Sequence, residues 1–584
     1  MRRKFSRVLM TMLVAVLMVA TPLVMAYEPG EYEATAPGFN GDLKVKVAFS
    51  DTQITAVEVL EHGETAGIGD AAIEKIPNAI VESQTLSVDA VTGASRTSEA
   101  IIAAVASCVE LAGGDVDALK SKAEAQAEDV DTTTDKVEAV EVYTDVLVIG
   151  GGGAGLTAAI EAKRAGADVV VLERLSFLGG DTILAGGGIE AAGTPYQEMH
   201  GIVGDTPEAQ REFILSRGIT YRNPELLKVM TENAPDAVEF LVELGSDMTG
   251  RPVAGHGSPV ERAHRAPSGS AGQNIMKPVI TEVERLGIPV YFNTPGLELI
   301  ASKGEVLGAR GTNLEDGTPI EVHAKAVVIA TGNFASNNEM VAEYDQRLKG
   351  IDTNSSAGSL GEGIKMAIAV GADLENMNIF RVTTGFPRGK NFIAISQDGE
   401  RFMNEKHTDD TIFRKGDDLH ILINENREEK HYFVVLDSAE YEANEKVYAP
   451  YMQTENGFSA DTAEELAALI DLDEKVFANS IKMWNDAVAQ QNDPLGRDMT
   501  EAKTLEKAPF YALKVRPKAH TCAGGIRIDV TAAVLNTQQQ RIPGLFAAGE
   551  VTGGVHDGVS AVEGAIVYGR IAGQSAAEYA LKLK

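Results

Sequence analysis

Apolar and polar residues alternate over 43–49 and again over 54–60, on either side of Ser50-Asp51-Thr52. That period of two predicts a half-buried hairpin. The period lengthens to a helical one over 71–83 and 98–112, so residues 27–112 are expected to form a small α+β unit. From 113 to 142 Ala, Asp, Glu, Lys and Thr dominate with little apolar spacing, which predicts a partly helical linker. Beyond it, short continuous apolar runs appear over 144–149, 168–172, 324–330 and 542–548, all but the second running toward a glycine. Such runs suit strands of a parallel sheet covered on both faces. Helices are expected over 156–165 and 563–581. Between 375 and 515 the pattern breaks into short strands and a helical stretch, 463–490, which predicts an inserted α+β domain. Residues 143–374 and 516–584 then form the two parts of one α/β, Rossmann-like domain.

With 584 residues and 44% hydrophobic content, the chain has material for several buried cores. A formal charge of −33 argues against nucleic acid or an anionic membrane as partner. Met1-Arg2-Arg3-Lys4, followed by an apolar run over 8–26, predicts a secretory signal cleaved near Ala26, hence export. An uncleaved membrane anchor is the competing reading of the same run. The two cysteines, Cys108 and Cys522, fit neither a haem nor an iron–sulfur spacing, and two thiols are expected rather than a disulfide. No metal-ligand cluster is evident, so no metal is expected.

The chemistry starts at Gly150-Gly151-Gly152-Gly153-Ala154-Gly155, which follows a predicted strand and opens a predicted helix. Glu173, 18 residues after Gly155, ends the next strand and completes a dinucleotide fingerprint. Gly150, Gly152, Ala154 and Gly155 let the backbone approach a pyrophosphate at the helix N-terminus, and Glu173 would accept from ribose hydroxyls. This fingerprint alone does not separate FAD from NAD.

Four further segments favour FAD: Gly179-Gly180-Asp181-Thr182, Ala185-Gly186-Gly187-Gly188, Ala330-Thr331-Gly332 and Gly549-Glu550-Val551-Thr552-Gly553-Gly554. In this order they resemble the flavoprotein subunits of fumarate reductase and succinate dehydrogenase, a likeness covering about residues 144–582. The resemblance implies that the loops at Asp181, Thr182, Gly187, Gly188 and Gly332 line a noncovalent FAD. It also implies that Glu550 reaches the ribityl chain, that Ala565 and Ile566 approach the ring edge, and that the insert is a mobile cap. Upstream, Asp89-Ala90-Val91-Thr92-Gly93-Ala94-Ser95 resembles the acceptor motif of flavin transferases in a small FMN-binding domain. That resemblance implies covalent FMN, with Ser95 as acceptor and Thr97 as fallback, and a flavin transferase as partner.

Fumarate reductases protonate through an arginine relayed by a glutamate and hold two carboxylates with further arginine and histidine side chains. Here Thr384-Gly385-Phe386-Pro387-Arg388-Gly389 keeps Arg388 but has Gly385 where the relay glutamate is expected. No His-Pro-Thr precedes it within 376–382. Gly399-Glu400-Arg401-Phe402-Met403-Asn404-Glu405 matches well, yet Asp409 replaces the donor arginine. His520 is kept, and Ser560 stands where a carboxylate-clamping arginine is expected. His264 with Arg265, His556, His407, Arg414, Asp557 and Glu563 are further candidates for the pocket, which is expected to be acidic. Losing guanidinium forks disfavours a buried dicarboxylate, so fumarate is not the expected substrate. The sequence thus predicts an exported FAD/FMN reductase of an activated C=C bond in anaerobic respiration. Its electrons would come from a membrane-bound or extracellular donor and end on a small-molecule acceptor. A flavin-dependent dehydrogenase or an electron shuttle are the alternatives.

Overall fold

The computed structural model describes residues 27–583 except 39–40, 65–68, 89, 92–93, 122–138, 217–221, 256–257, 267–269, 388–390, 406–423, 425–426, 428 and 557–560. The chain divides into two compact units, Met1–Thr133 and Thr134–Lys584.

The first unit is a three-stranded antiparallel sheet, with Asp42–Phe49 between Gly30–Pro37 and Ile54–Glu61. Alternation in the central strand buries Leu43, Val45, Val47 and Phe49 on one face. The helices Gly69–Ser83 and Ser95–Leu111 cover that face with Ile76, Ile80, Ile101, Val105 and Cys108. The hairpin and both helices lie where the hydrophobic periods put them. The strand Gly30–Pro37 was not foreseen: it carries Glu31 and Glu33, and only Ala36 of its residues is fully buried. The linker expected over 113–142 is not plain chain at either end. Val116–Ser121 is a helix whose Leu119 is buried in the small unit's core, tied by the Leu86 N–H to the Leu119 carbonyl at 3.2 Å. At the other end the strand Val140–Ile149 begins.

The second unit is built on an eight-stranded sheet. Parallel strands Pro319–Ile329, Val140–Ile149, Val169–Leu172 and Val290–Tyr291 lie side by side in that order. The strand Pro319–Ile329 has two partners on its other edge: antiparallel Glu305–Thr312 along its first half and parallel Arg541–Ala547 along its last turns. The buried apolar runs 146–149 and 326–329 make the sheet's centre. The helices Gly153–Arg164 and Ala561–Lys582 pack on each other through small residues. A Cβ at Gly569 would stand 2.5 Å from the Ala154 carbonyl oxygen, so this close approach needs glycine.

The insert is a four-stranded antiparallel sheet ordered Ile393–Ile395, Tyr432–Asp437, Phe510–Val515, Gly457–Ala460. One face carries Phe477, Ile481 and Trp484 of the helix Glu474–Gln490, and the other carries Tyr448 and Phe392. Where the insert leaves and rejoins the sheet domain, Phe380–Thr383 pairs antiparallel with Lys518–Cys522. This small ladder positions the candidate site. Among the described residues no helix is long and apolar enough to cross a membrane.

Candidate active site

The glycine turn has the geometry its sequence requires. Gly150 has φ +110°, and a Cβ there would lie 2.3 Å from the Ala330 carbonyl oxygen. A Cβ at Gly155 would meet the Gly150 carbonyl oxygen at 1.8 Å. Gly152 is the N-cap of the helix Gly153–Arg164 and brings no side chain of its own to cap it. Its own Cβ position is open, with only Gly180 Cα at 3.8 Å and Gly179 O at 3.9 Å nearby. A helix start with a bare glycine N-cap facing open space is what a bound pyrophosphate needs. Glu173 is buried and accepts from the Gly151 and Leu175 N–H groups, both at 2.6 Å; burial pushes its carboxyl up to about 7. Ser176 Oγ, three residues on, is buried with no partner among the described residues, a second polar atom suited to a nucleotide.

The neighbouring loops converge on two half-buried carboxylates. Asp181 accepts from the Ser356 N–H and from Ser359 Oγ, the latter at 2.5 Å, and burial raises its pKa. Thr182 Oγ1 accepts from the Gly153 N–H at 3.3 Å and so ties this loop to the glycine turn. Glu550 accepts from Asn333 Nδ2 and from Thr521 Oγ1, both at 2.8 Å. Burial and then the charge of Asp181 push Glu550 up to about 7. Gly332 has φ +74°, and a Cβ there would lie 3.8 Å from Asp181 Oδ2. Gly187 faces open space, while Gly188 lies against the His264 carbonyl, which a Cβ would meet at 2.0 Å. Ala565 and Ile566 are buried near the start of the last helix, with Ala565 Cβ 3.9 Å from the Cβ position of Gly549. These residues fit FAD: backbone N–H groups for phosphate, a carboxylate for ribose, and further acceptors along one trough.

The catalytic candidates separate. His520 sits half-buried in the ladder at the insert's root, with Nδ1 3.0 Å from Asn354 Oδ1. Burial, and then the positive charge of Arg381, push it down to about 4. His264 is a correction: it is fully buried on the strand Glu261–His264, with Nε2 3.2 Å from Thr194 Oγ1 and 3.3 Å from the Ala191 carbonyl. Burial pushes it to about 4, and it braces the 189–194 loop instead of opening onto a pocket. Arg265 beside it is exposed. His556 is buried behind Gly564, and Glu563 is buried and accepts from Gln210 Nε2 at 3.2 Å. Arg388, Asp409, Ser560, His407, Arg414 and Asp557 lie outside the described residues, as do Asp89 and Thr92.

The structure accounts for one departure from the expected pattern and gives one match to it a different role. Gly385 has φ +70°, and a Cβ there would stand 2.4 Å from the Arg516 carbonyl oxygen, so the backbone leaves no room for the relay glutamate. The well-matched 399–405 segment is a structural anchor. Arg401 and Arg497 lie on Trp484, each 4.7 Å from a ring centroid, and both bond Glu405 at 2.8 Å. Asp493 accepts from Arg401 Nη1 at 2.6 Å, which closes a network that is almost wholly buried.

In the small unit Ser95 opens the helix Ser95–Leu111. The fallback acceptor is already engaged: Thr97 Oγ1 is buried and donates to Glu64 Oε2 at 2.5 Å. Sequence reading missed Arg381, Asn333, Asn354, Ser356 and Ser359. Asn333 directly follows the Ala330-Thr331-Gly332 motif and was within reach; Arg381 carried no motif at all.

A glycine turn at a helix start, a buried ribose-type carboxylate and a separate small α+β unit define a two-part flavoprotein. The family profile described as an FAD binding domain matches residues 145–567, and the one described as an FMN-binding domain matches residues 38–110. The urocanate reductase of Eggerthella lenta is 31% identical over 577 residues, covering 94% of this chain and 92% of that protein. The NADH:fumarate oxidoreductase of Klebsiella pneumoniae is 32% identical over 95% of this chain, which spans only 59% of that longer protein. Among solved structures, the open conformation of a flavocytochrome c3 fumarate reductase has a TM-score of 0.67 at 30% identity, covering 75% of this chain and 79% of that one. The chain belongs to this family of flavin-dependent oxidoreductases, with an FMN-binding domain ahead of the FAD-binding domain.

Proposed function

We propose that the chain is an exported flavin-dependent reductase of an activated C=C bond in anaerobic respiration, with electrons entering at FMN and leaving through FAD. The reading rests on one observation above all: at the insert's root, Arg381 lies close to both His520 and Glu550 of the FAD trough. When bound and reduced, FAD supplies hydride to the acceptor carbon. The chain's own residues do the rest. Gly152, Ala154 and Gly155 would hold the pyrophosphate, Glu173 the ribose, and Asp181 and Glu550 the polar chain between ribose and ring. With Nδ1–H donated to Asn354, neutral His520 keeps an acceptor at Nε2 to orient the substrate. The insert, 375–515, would exclude water.

Fumarate is not the proposed substrate. Gly385 cannot carry the relay side chain, and Asp409 and Ser560 replace two guanidinium groups. The electron donor is proposed to be membrane-bound or extracellular, and FMN to be esterified to Ser95 by a flavin transferase. The basic start and apolar run of residues 1–26 support export. The test is reoxidation of dithionite-reduced protein by a panel of unsaturated acids, amides and amines. Rapid reoxidation by one class supports the reading. Reoxidation by none, with both flavins bound, would leave an electron shuttle instead.

A further inference from the structure

We propose that Asn354 is a positioning residue that presents His520 to the acceptor with a bare Nε2, which makes the N–H of a conjugated amide the group received there. This inference rests on the reductase reading above and deepens it. Asn354 follows the two-residue strand Asp352–Thr353, which pairs in parallel with Lys518 and Ala519 just ahead of His520. Bonds on both sides hold the segment in place. Thr353 Oγ1 and the Asn354 N–H donate to the Ala519 carbonyl at 3.0 and 3.3 Å. Ser355 Oγ donates to the His520 carbonyl at 2.6 Å, and the Ser356 N–H donates to Asp181 of the FAD trough. Between these anchors Asn354 Oδ1 stands 3.0 Å from His520 Nδ1.

An amide oxygen only accepts, so the ring nitrogen facing it carries the proton, and a neutral imidazole is then left with a lone pair at Nε2. Burial and the nearby charge of Arg381 keep the ring neutral. Among the described residues the imidazole hydrogen-bonds to Asn354 alone, and it is half-buried. Its direction is set by the ladder. Arg381 stands opposite Thr521 and Val382 opposite Ala519, so His520 is the extra residue of a bulge. A bulge breaks the alternation of a strand and brings His520 to the side that Thr521 faces. Thr521 donates to Glu550 at 2.8 Å on that side, which is the FAD trough. A bare nitrogen beside an acidic trough repels a carboxylate and accepts from a neutral donor. A conjugated amide meets both demands on the acceptor, since its carbonyl activates the C=C bond and its N–H reaches Nε2.

The test uses the full-length protein with both flavins bound, as wild type, Asn354→Leu and Asn354→Asp, at pH 8. The probes are 3-phenylpropionamide, its N,N-dimethyl derivative and 3-phenylpropionate, whose saturated chains cannot be reduced, with binding followed by calorimetry. The wild type is expected to bind the primary amide about 3- to 10-fold more tightly than either other probe. Asn354→Leu should erase that preference, whereas Asn354→Asp, which keeps an oxygen facing Nδ1, should retain it. Nitrogen NMR of histidine-labelled protein, with the His520 signals identified by their loss in His520→Gln, reads the ring directly. Nδ1 should carry the proton in the wild type and in Asn354→Asp, and Asn354→Leu should lose that bias. FAD content and thermal midpoint report whether the variants remain folded. A proton on Nε2 in the wild type, or the same tautomer in Asn354→Leu, overturns the positioning role. Equal or absent binding of the two amides, or tighter binding of the carboxylate, overturns the substrate group. Failure of the reductase reading looks different: no unsaturated compound reoxidises the wild type, whatever the binding data.

Discussion

Replacing Glu173 by alanine separates what this carboxylate does for the fold from what it does for the nucleotide. Within the chain it accepts two backbone N–H bonds at 2.6 Å, from Gly151 and Leu175. Leaving both donors buried costs ~1–3 kcal/mol each, or ~2–6 kcal/mol together. Against this stands the burial that pushes the carboxyl up to about 7 from its usual 4.5. Holding it ionised at pH 8 costs ~3 kcal/mol, which the alanine variant no longer bears. The two effects offset each other to within a few kcal/mol, so the flavin-free variant is expected to fold with a modestly changed thermal midpoint. FAD binding has no such offset. Two charge-assisted bonds to ribose hydroxyls, at ~1.5–3 kcal/mol each, correspond to a loss of roughly 100- to 10,000-fold in affinity. The pH dependence follows in sign. A carboxyl with a raised folded pKa gives stability that is present below pH 4.5 and lost as pH rises through about 7. FAD needs the ionised form, so wild-type affinity should rise with pH up to about 7 and the variant's should not. Fluorescence titration of flavin-free protein with FAD at pH 6, 7 and 8 measures both. Affinity of Glu173→Ala within about threefold of wild type would refute the placement of the nucleotide.

Glu405→Gln removes one charge from a buried network and leaves Arg401 and Arg497 without their shared carboxylate. It should destabilise the insert by ~3–5 kcal/mol, read as a lower unfolding midpoint and faster proteolysis within 375–515. Ser95→Ala should abolish the mass added by covalent FMN, whereas Thr97→Val should keep it, because Thr97 is already committed to Glu64; intact-protein mass spectrometry decides between them. Burial holds His264 at about 4, so the unfolded chain takes up a proton that the folded chain refuses. Its contribution to stability should fall by ~3 kcal/mol as pH drops from 6.5 to 4, and His264→Gln should flatten that part of the unfolding curve.

The parts of this molecule that a sequence shows are those where local backbone demands select the residue. Gly150 and Gly155 are read directly, since any Cβ would strike a carbonyl oxygen within 2.3 Å. Glu173 follows from its place at the end of a strand. The central hairpin strand Asp42–Phe49 alternates cleanly because one of its faces is buried. By contrast Gly30–Pro37 is mostly exposed, and its glutamates hide the period. Arg381 escaped because its meaning depends on a bulge in a partner strand far along the chain, with Val382 opposite Ala519 instead of His520. His264 looked catalytic in a run of charged residues, yet long-range packing against Thr194 and Ala191 encloses it. The match over 399–405 was sound as a pattern, but its role came from Asp493, Arg497 and Trp484, which arrive much later in the sequence.

The most direct test loads the protein with both flavins, reduces it under anaerobic conditions, removes excess reductant and titrates it with a conjugated acceptor. Two connected flavins hold four electrons, so both should reoxidise and about two equivalents of acceptor should be reduced per protein. Reoxidation of FAD alone, giving one equivalent, would contradict electron passage between the flavins, and no reoxidation at all would contradict the reductase reading as a whole.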